Sequence, residues 1–125
     1  MQRVGINVSS RNARSTLLGD HVTMPVAIAP TGLAGSNWPD GEIEGARAAE
    51  AFGIPFTLST MSICPLEAVS DAVSKPFWFQ LYVMKDRAFV KQLILRARAC
   101  KVSVRPHTLR ASPFYFRNIC RRSWL

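Results

Sequence analysis

Pro76-Phe77-Trp78-Phe79-Gln80-Leu81-Tyr82-Val83 reads as one strand buried on both faces, entered at a proline and broken by a single amide. Proline has no N–H to give a ladder and suits the first residue of a strand. An apolar run without clean alternation is how a parallel strand covered by helices reads. Gln80 is the exception within it. A primary amide among aromatics must find hydrogen-bond partners, and its sequence neighbours offer few, so a planar polar ligand is the expected partner. Gln80 is therefore a ligand-binding candidate.

The same phrase occurs twice more upstream. Pro25-Val26-Ala27-Ile28-Ala29 and Pro55-Phe56-Thr57-Leu58-Ser59 are proline-led apolar runs, each followed by a small polar turn and then a helical pattern. The first helix is predicted from Asp40 as N-cap, with Glu42 and Glu44 in its positive first turn and Gly53 at its end. Its core face is predicted to hold Ile43, Ala46, Ala49 and Phe52. The second starts with Pro65 at its first position and buries Leu66, Val69 and Val73. The third runs from Asp86 through Phe89, Val90, Leu93, Ile94 and Ala97, with Arg96 and Arg98 near its negative end.

Strand and helix alternating, with no room for antiparallel hairpins, implies consecutive right-handed βαβ crossovers. A doubly wound sheet and part of a barrel both satisfy that pattern. In either, ligands sit beyond the carboxyl ends of the strands, where the turns hold Pro30-Thr31-Gly32, Ser59-Thr60 and Gln80-Leu81-Tyr82.

The chain has 125 residues, enough for one modest domain and roughly half of a closed eight-unit barrel. No apolar stretch approaches the ~20 residues needed to span a bilayer, and the first residues lack the apolar core of a secretory signal. A cytoplasmic protein is expected. Cys64, Cys100 and Cys120 form no C-x-x-C pair, and His21 and His107 stand alone, so no metal site is expected.

Of the net charge of +8, residues 101–125 contribute +6 through Lys101, Arg105, Arg110, Arg117, Arg121 and Arg122, leaving +2 for the first hundred. The basic balance thus describes the tail and not the domain. From Lys101 onward the repeat is expected to stop, and residues 101–125 are expected to be irregular.

Jointly, Met24-Pro25-Val26-Ala27-Ile28-Ala29-Pro30-Thr31-Gly32, Pro39-Asp40-Gly41-Glu42, Ala46-Arg47-Ala48-Ala49, Thr57-Leu58-Ser59-Thr60 and Phe79-Gln80-Leu81-Tyr82-Val83 resemble the FMN-dependent α-hydroxy-acid dehydrogenase and oxidase family. That family includes glycolate oxidase, mandelate dehydrogenase and the flavin L-lactate dehydrogenases. Ser59-Thr60-Met61-Ser62-Ile63-Cys64 is most similar to the bacterial lactate dehydrogenase branch. The likeness covers about residues 2–100.

The resemblance implies a TIM (β/α)8 barrel with FMN at its C-terminal mouth, of which this chain would carry about three βα units in residues 1–100, followed by an unrelated basic tail. Pro30, Thr31 and Gly32 would line the flavin through their backbone, the alternative being a plain strand-to-helix turn. Ser59 would hydrogen-bond the flavin, against a hydroxyl capping the following turn. Gln80 would bind the polar edge of the ring, against a satisfied core amide. Tyr82 would contact the hydroxy-acid substrate, against an ordinary amphipathic strand tyrosine.

The implied chemistry is oxidation of a 2-hydroxy acid: a base takes the hydroxyl proton, hydride equivalents pass to the flavin, and cations hold the carboxylate. No catalytic residue is assigned, because the histidine base, the carboxylate-binding arginines and the phosphate-binding loops of the family have no counterpart in this sequence. His107 stands in no matching motif. The expectation is an inactive fragment of an oxidoreductase that exposes apolar barrel interior and an unpaired third strand. Its family partners are a small 2-hydroxy acid and an electron acceptor the sequence does not identify. Full-length relatives are expected to form homo-oligomers, and this protein is expected in the cytoplasm, at most peripheral at the inner membrane. The other reading is a small basic binding protein whose 101–125 arm meets nucleic acid or an anionic membrane; nucleic acid is the less expected partner.

Overall fold

The computed structural model describes residues 10–100 and 102–106. A hairpin comes first: β1 (Ser15–Leu17) pairs antiparallel with β2 (Asp20–Val22) in the register Ser15↔Val22, Thr16↔His21, Leu17↔Asp20. Leu18 and Gly19 both take positive φ, 51° and 97°, which is the turn hand that matches strand twist. The alternating pattern left no place for an antiparallel pair, and Leu-Gly lacks the Asn or Asp that announces such a turn.

Strand-helix alternation then begins. Of the run Pro25–Ala29, only Ile28 joins the sheet, as a parallel bridge to Phe56 held by Ile28 N–H to Pro55 O (2.9 Å) and Thr57 N–H to Ile28 O (3.1 Å). A short helix, α1 (Ala34–Asn37), and α2 (Gly41–Phe52) lead to β3 (Thr57–Ser59). After it come α3 (Leu66–Ala72), β4 (Trp78–Leu81), α4 (Arg87–Ala99) and β5 (Ser103–Pro106). β3 pairs parallel with β4, and β4 with β5. Each parallel neighbour is thus the next one along the chain, with no reversal of order.

β5 corrects one expectation. The pattern predicts irregular chain from Lys101, yet Ser103–Pro106 continues the repeat, started by Val102 N–H to Ala97 O (2.9 Å) and Ser103 N–H to Phe77 O (3.1 Å). Val102 is buried and Ser103 exposed, as successive residues of a strand face opposite sides, and in the sequence the adjacent Arg105 and Pro106 obscure that signal. β4 is therefore paired on both sides and is not the exposed edge expected. The rest of the basic tail, 107–125, lies outside the described residues.

Register sorts the two faces of the sheet. Leu58 pairs with Phe79, so Phe56, Leu58, Phe77, Phe79 and Leu81 share one face. They pack against Ala46 and Ala49 of α2, Leu66 and Val69 of α3, and Val90 and Ala97 of α4. Phe56 and Phe77 meet edge to face, centroids 6.2 Å apart. The other face carries Thr57, Ser59, Trp78 and Gln80, so it is polar where an apolar interior was expected.

The helix ends follow their chemistry in part. Asp86 caps α4 by accepting from the N–H groups of Ala88 (2.9 Å) and Phe89 (3.1 Å). Pro65 sits one residue before α3, at its N-cap, and not at the first helical position. Asp40 also precedes its helix, but with left-handed backbone (φ 54°) and no side-chain cap, so only its carbonyl serves, accepting from Glu44 N–H. Phe52 was expected in the core and is 57% exposed. Steps of three residues lag about 60° each on a 3.6-residue helix, so by Phe52 the side chain has drifted half a turn from Ile43. Phe89 is likewise exposed, at the border of the stripe centred on Val90 and Ala97.

Arg96 of α4 grips Glu67 of α3 through two parallel bonds, Nε to Oε1 and Nη2 to Oε2, both 2.7 Å. This contact holds the Glu67 carboxyl at a pKa of about 2, down from 4.5. A depressed carboxylate stabilises the fold above its unfolded pKa, and that contribution fades as pH falls from 4.5 toward about 2. Both side chains are nearly half exposed, so solvent screens the pair. Glu67→Gln is expected to cost about 0.5–1 kcal/mol at neutral pH, and the gap from wild type in urea melts should close in acid. A gap unchanged at low pH would contradict the assignment.

Candidate functional site

Three turns meet where the parallel strands end. The turn after the Ile28 segment carries Pro30, Thr31 and Gly32, that after β3 carries Thr60 to Cys64, and that after β4 begins at Tyr82. Leu33 N–H donates to Met61 O (2.9 Å), joining the first two turns. Gly32 is so close to the second that a Cβ on it would stand 3.3 Å from Met61 Cβ and 3.9 Å from Ser59 Oγ. Thr31 Oγ1 donates back to Ala29 O (3.4 Å), which closes its own turn.

Gln80 joins the second turn to the third. It is only 2% exposed, and its Oε1 accepts from Ser59 Oγ and from Thr60 N–H, both at 3.3 Å. Thr60 N–H can only donate, so it requires the amide oxygen and fixes which end of Gln80 is acceptor and which is donor. The Gln80 carbonyl also accepts from the Thr60 hydroxyl. Thr60 Oγ1 in turn accepts from Tyr82 N–H (3.1 Å). The premise that Gln80 has few partners is therefore corrected. They come from the last residue of β3 and the turn after it, about twenty residues earlier, and only the strand register places them beside it.

Ser59 is buried and does two things: it donates to Gln80, and it accepts from Met61 N–H (3.1 Å), capping the following turn. Tyr82 stands just past the end of β4 and is 44% exposed. Pro30, Thr31, Gly32, Ser59, Gln80 and Tyr82 thus lie on three adjoining turns at one end of the sheet. Thr60 belongs with them. Its hydroxyl bridges Gln80 and Tyr82, and the Ser-Thr pair at the end of a strand was the signal that could have singled it out.

A cleft of about 420 Å³ opens at the other end, where Pro55 and Pro76 enter their strands, with Asp20, His21, Glu50 and Lys75 on its walls. None of the six residues lines it. His21 is in this cleft, its Nδ1 3.5 Å from Thr16 Oγ1, and so at the opposite end from the three turns. His107 lies outside the described residues. Among the described residues no group of three His, Cys, Asp or Glu could hold a metal ion.

Parallel strands taken in chain order, each ending in a turn that brings polar groups to one rim, define an α/β protein of the class whose ligand sites lie at the carboxyl ends of the strands. The chain belongs to the FMN-dependent dehydrogenase family, whose model matches residues 1–109. The match runs past residue 100, where the resemblance was expected to end, and takes in β5.

The chain is 51% identical over 102 residues to L-lactate dehydrogenase of Xanthomonas campestris pv. campestris, covering 82% of this chain and 26% of that one. It superposes on a soluble mutant of the membrane-associated (S)-mandelate dehydrogenase of Pseudomonas putida with a TM-score of 0.79 and 37% identity, over 86% of this chain and 31% of the other. A mandelate oxidase mutant holding a monooxide FMN adduct matches with a TM-score of 0.75 and 26% identity, over 85% and 34% of the two chains. The chain spans about a quarter of the length of the curated relatives it matches.

Proposed function

We propose that this chain is an open arc of a (β/α)8 barrel, about three βα units and the strand that follows, whose rim holds the edge of FMN in an enzyme oxidising a 2-hydroxy acid. The chain-order sheet supports the arc, since a barrel advances strand by strand whereas a doubly wound sheet reverses. The observation that carries the site is Gln80, a buried amide aimed by Ser59 and Thr60.

The residues fit a flavin edge. An isoalloxazine offers both donors and acceptors along its pyrimidine side, and an amide with defined ends can answer it. Pro30 to Gly32 would approach the ring through backbone, and the exposed Thr31 and Gly32 leave that approach open. Ser59 would bond it through the hydroxyl that also holds Gln80. Tyr82, exposed beside them, would meet the substrate. When bound, FMN supplies the two-electron acceptor.

No residue of the described rim is assigned as base, and His21 is at the far end of the strands. We therefore read this chain as a flavin-binding arc without turnover of its own. L-lactate is the first substrate to try, from the name of the 51% identical relative. Attachment to a membrane surface belongs to the same proposal: one structural neighbour is a monotopic membrane (S)-mandelate dehydrogenase, and among the described residues no helix is long and apolar enough to cross a membrane.

Titration of the folded chain with FMN, followed by flavin fluorescence, is expected to show saturable quenching. Anaerobic addition of L-lactate is expected to leave the bound flavin oxidised. A folded chain that ignores FMN overturns the site, and bleaching by L-lactate overturns the absence of turnover.

A further inference from the structure

Glu42 lies in the first turn of α2, where acids ordinarily face solvent and complement the helix dipole, as the exposed Glu44 does. Glu42 is instead 2% exposed. Its Oε1 accepts from Ile63 N–H at 3.0 Å, reaching from α2 into the turn between β3 and α3. Oε2 has no hydrogen-bond partner and is so close to Gly35 of α1 that a Cβ there would stand 3.0 Å from it. Burial raises the pKa of this carboxyl. The bond from Ile63 N–H, with the Cys64 thiol and the N–H groups of Gly35 and Glu42 nearby but outside hydrogen-bond geometry, outweighs that effect, so the net shift is downward and the group is an anion at neutral pH. A buried anion is costly unless its bonds repay the loss of water.

The bonded turn is the one that aims Gln80. From Ser59 to Ile63 it is tied to the rest of the chain through Leu33 N–H to Met61 O and through Glu42 to Ile63 N–H. We infer that Glu42 is a positioning residue for the rim, its carboxylate fixing the 59–63 turn so that Ser59 and Thr60 hold the Gln80 amide in one orientation. Its value for flavin binding rests on the reading of that rim given above.

The test compares the full chain with Glu42→Ala, Glu42→Gln and, as a control, Val69→Ala, a buried α3 change that touches none of these bonds. Two signals are followed by NMR without any ligand: the Gln80 side-chain amide resonances and hydrogen exchange at Thr60 N–H. FMN affinity is then measured per folded molecule. Glu42→Ala is expected to shift the Gln80 signals, speed Thr60 exchange and weaken FMN binding by about ten-fold or more, the scale of one hydrogen bond to a charged group. Glu42→Gln, which keeps an acceptor for Ile63, should restore most of each. Should Glu42→Ala not fold, Glu42→Asp, shorter by one methylene, carries the same comparison.

Unchanged Gln80 and Thr60 signals in a folded variant overturn the inference, as does an equal response from Val69→Ala. A wild-type chain that binds no FMN overturns the flavin reading instead, and the NMR comparison still decides the role of Glu42.

Discussion

Gln80→Leu is expected to abolish saturable FMN quenching and to lower folding stability by about 2–3 kcal/mol. Leucine fills a similar volume but accepts nothing, so Ser59 Oγ–H and Thr60 N–H lose the oxygen both now share. Each donor stranded away from water costs about 1–3 kcal/mol, and the apolar area gained by leucine offsets only part of this. Ser59→Ala is the milder companion. It removes one donor to Gln80 and the cap on Met61 N–H while leaving Thr60 to hold the amide, for a loss of about 1 kcal/mol. Urea melts and flavin titrations on the same samples separate the two effects. If Gln80→Leu still binds FMN as wild type does, the rim does not use this amide.

The features legible in the sequence were those set by near neighbours. Proline before an apolar run marked the Ile28 segment, β3 and β4 but not β5, and Asp86 announced its helix because a cap needs only the next three residues. Gly53 could be read at the end of α2 for the same reason. What escaped depends on partners far along the chain. Gln80 looked starved of partners because its donors come from the end of β3 and the turn after it. Glu42 could be read only as an acid in the positive first turn of its helix, because its bond to Ile63 exists only once α2 packs on the following strand's turn. β5 was lost among cationic and proline residues, although pairing to β4 asks only for backbone groups. The grouping of the rim residues at one pole was foreseeable, since parallel strands all end on the same side, whereas the bonds among them were not.

Gly53→Ala is expected to destabilise the fold by about 2 kcal/mol, while Gly19→Ala costs about 1 kcal/mol. Both glycines have positive φ, 78° and 97°, so alanine pays a similar backbone strain at either. Their surroundings differ. Around Gly19 an added Cβ would meet nothing within 4 Å, but at Gly53 it would stand 2.6 Å from Thr23 Cγ2. Thr23 cannot easily retreat, because its hydroxyl donates to Phe52 O (2.8 Å) and its N–H to Gly53 O (3.0 Å). Displacing it loses about one more hydrogen bond's worth of stability, near 1 kcal/mol, beyond the strain. These bonds anchor the chain just before the Ile28 segment at the end of the sheet away from the rim, so FMN affinity per folded molecule should stay near wild type in both variants. Equal melting losses at the two glycines would mean that Thr23 yields freely and that backbone strain alone sets the cost. A selective loss of FMN binding in Gly53→Ala would mean that the anchor and the rim move together.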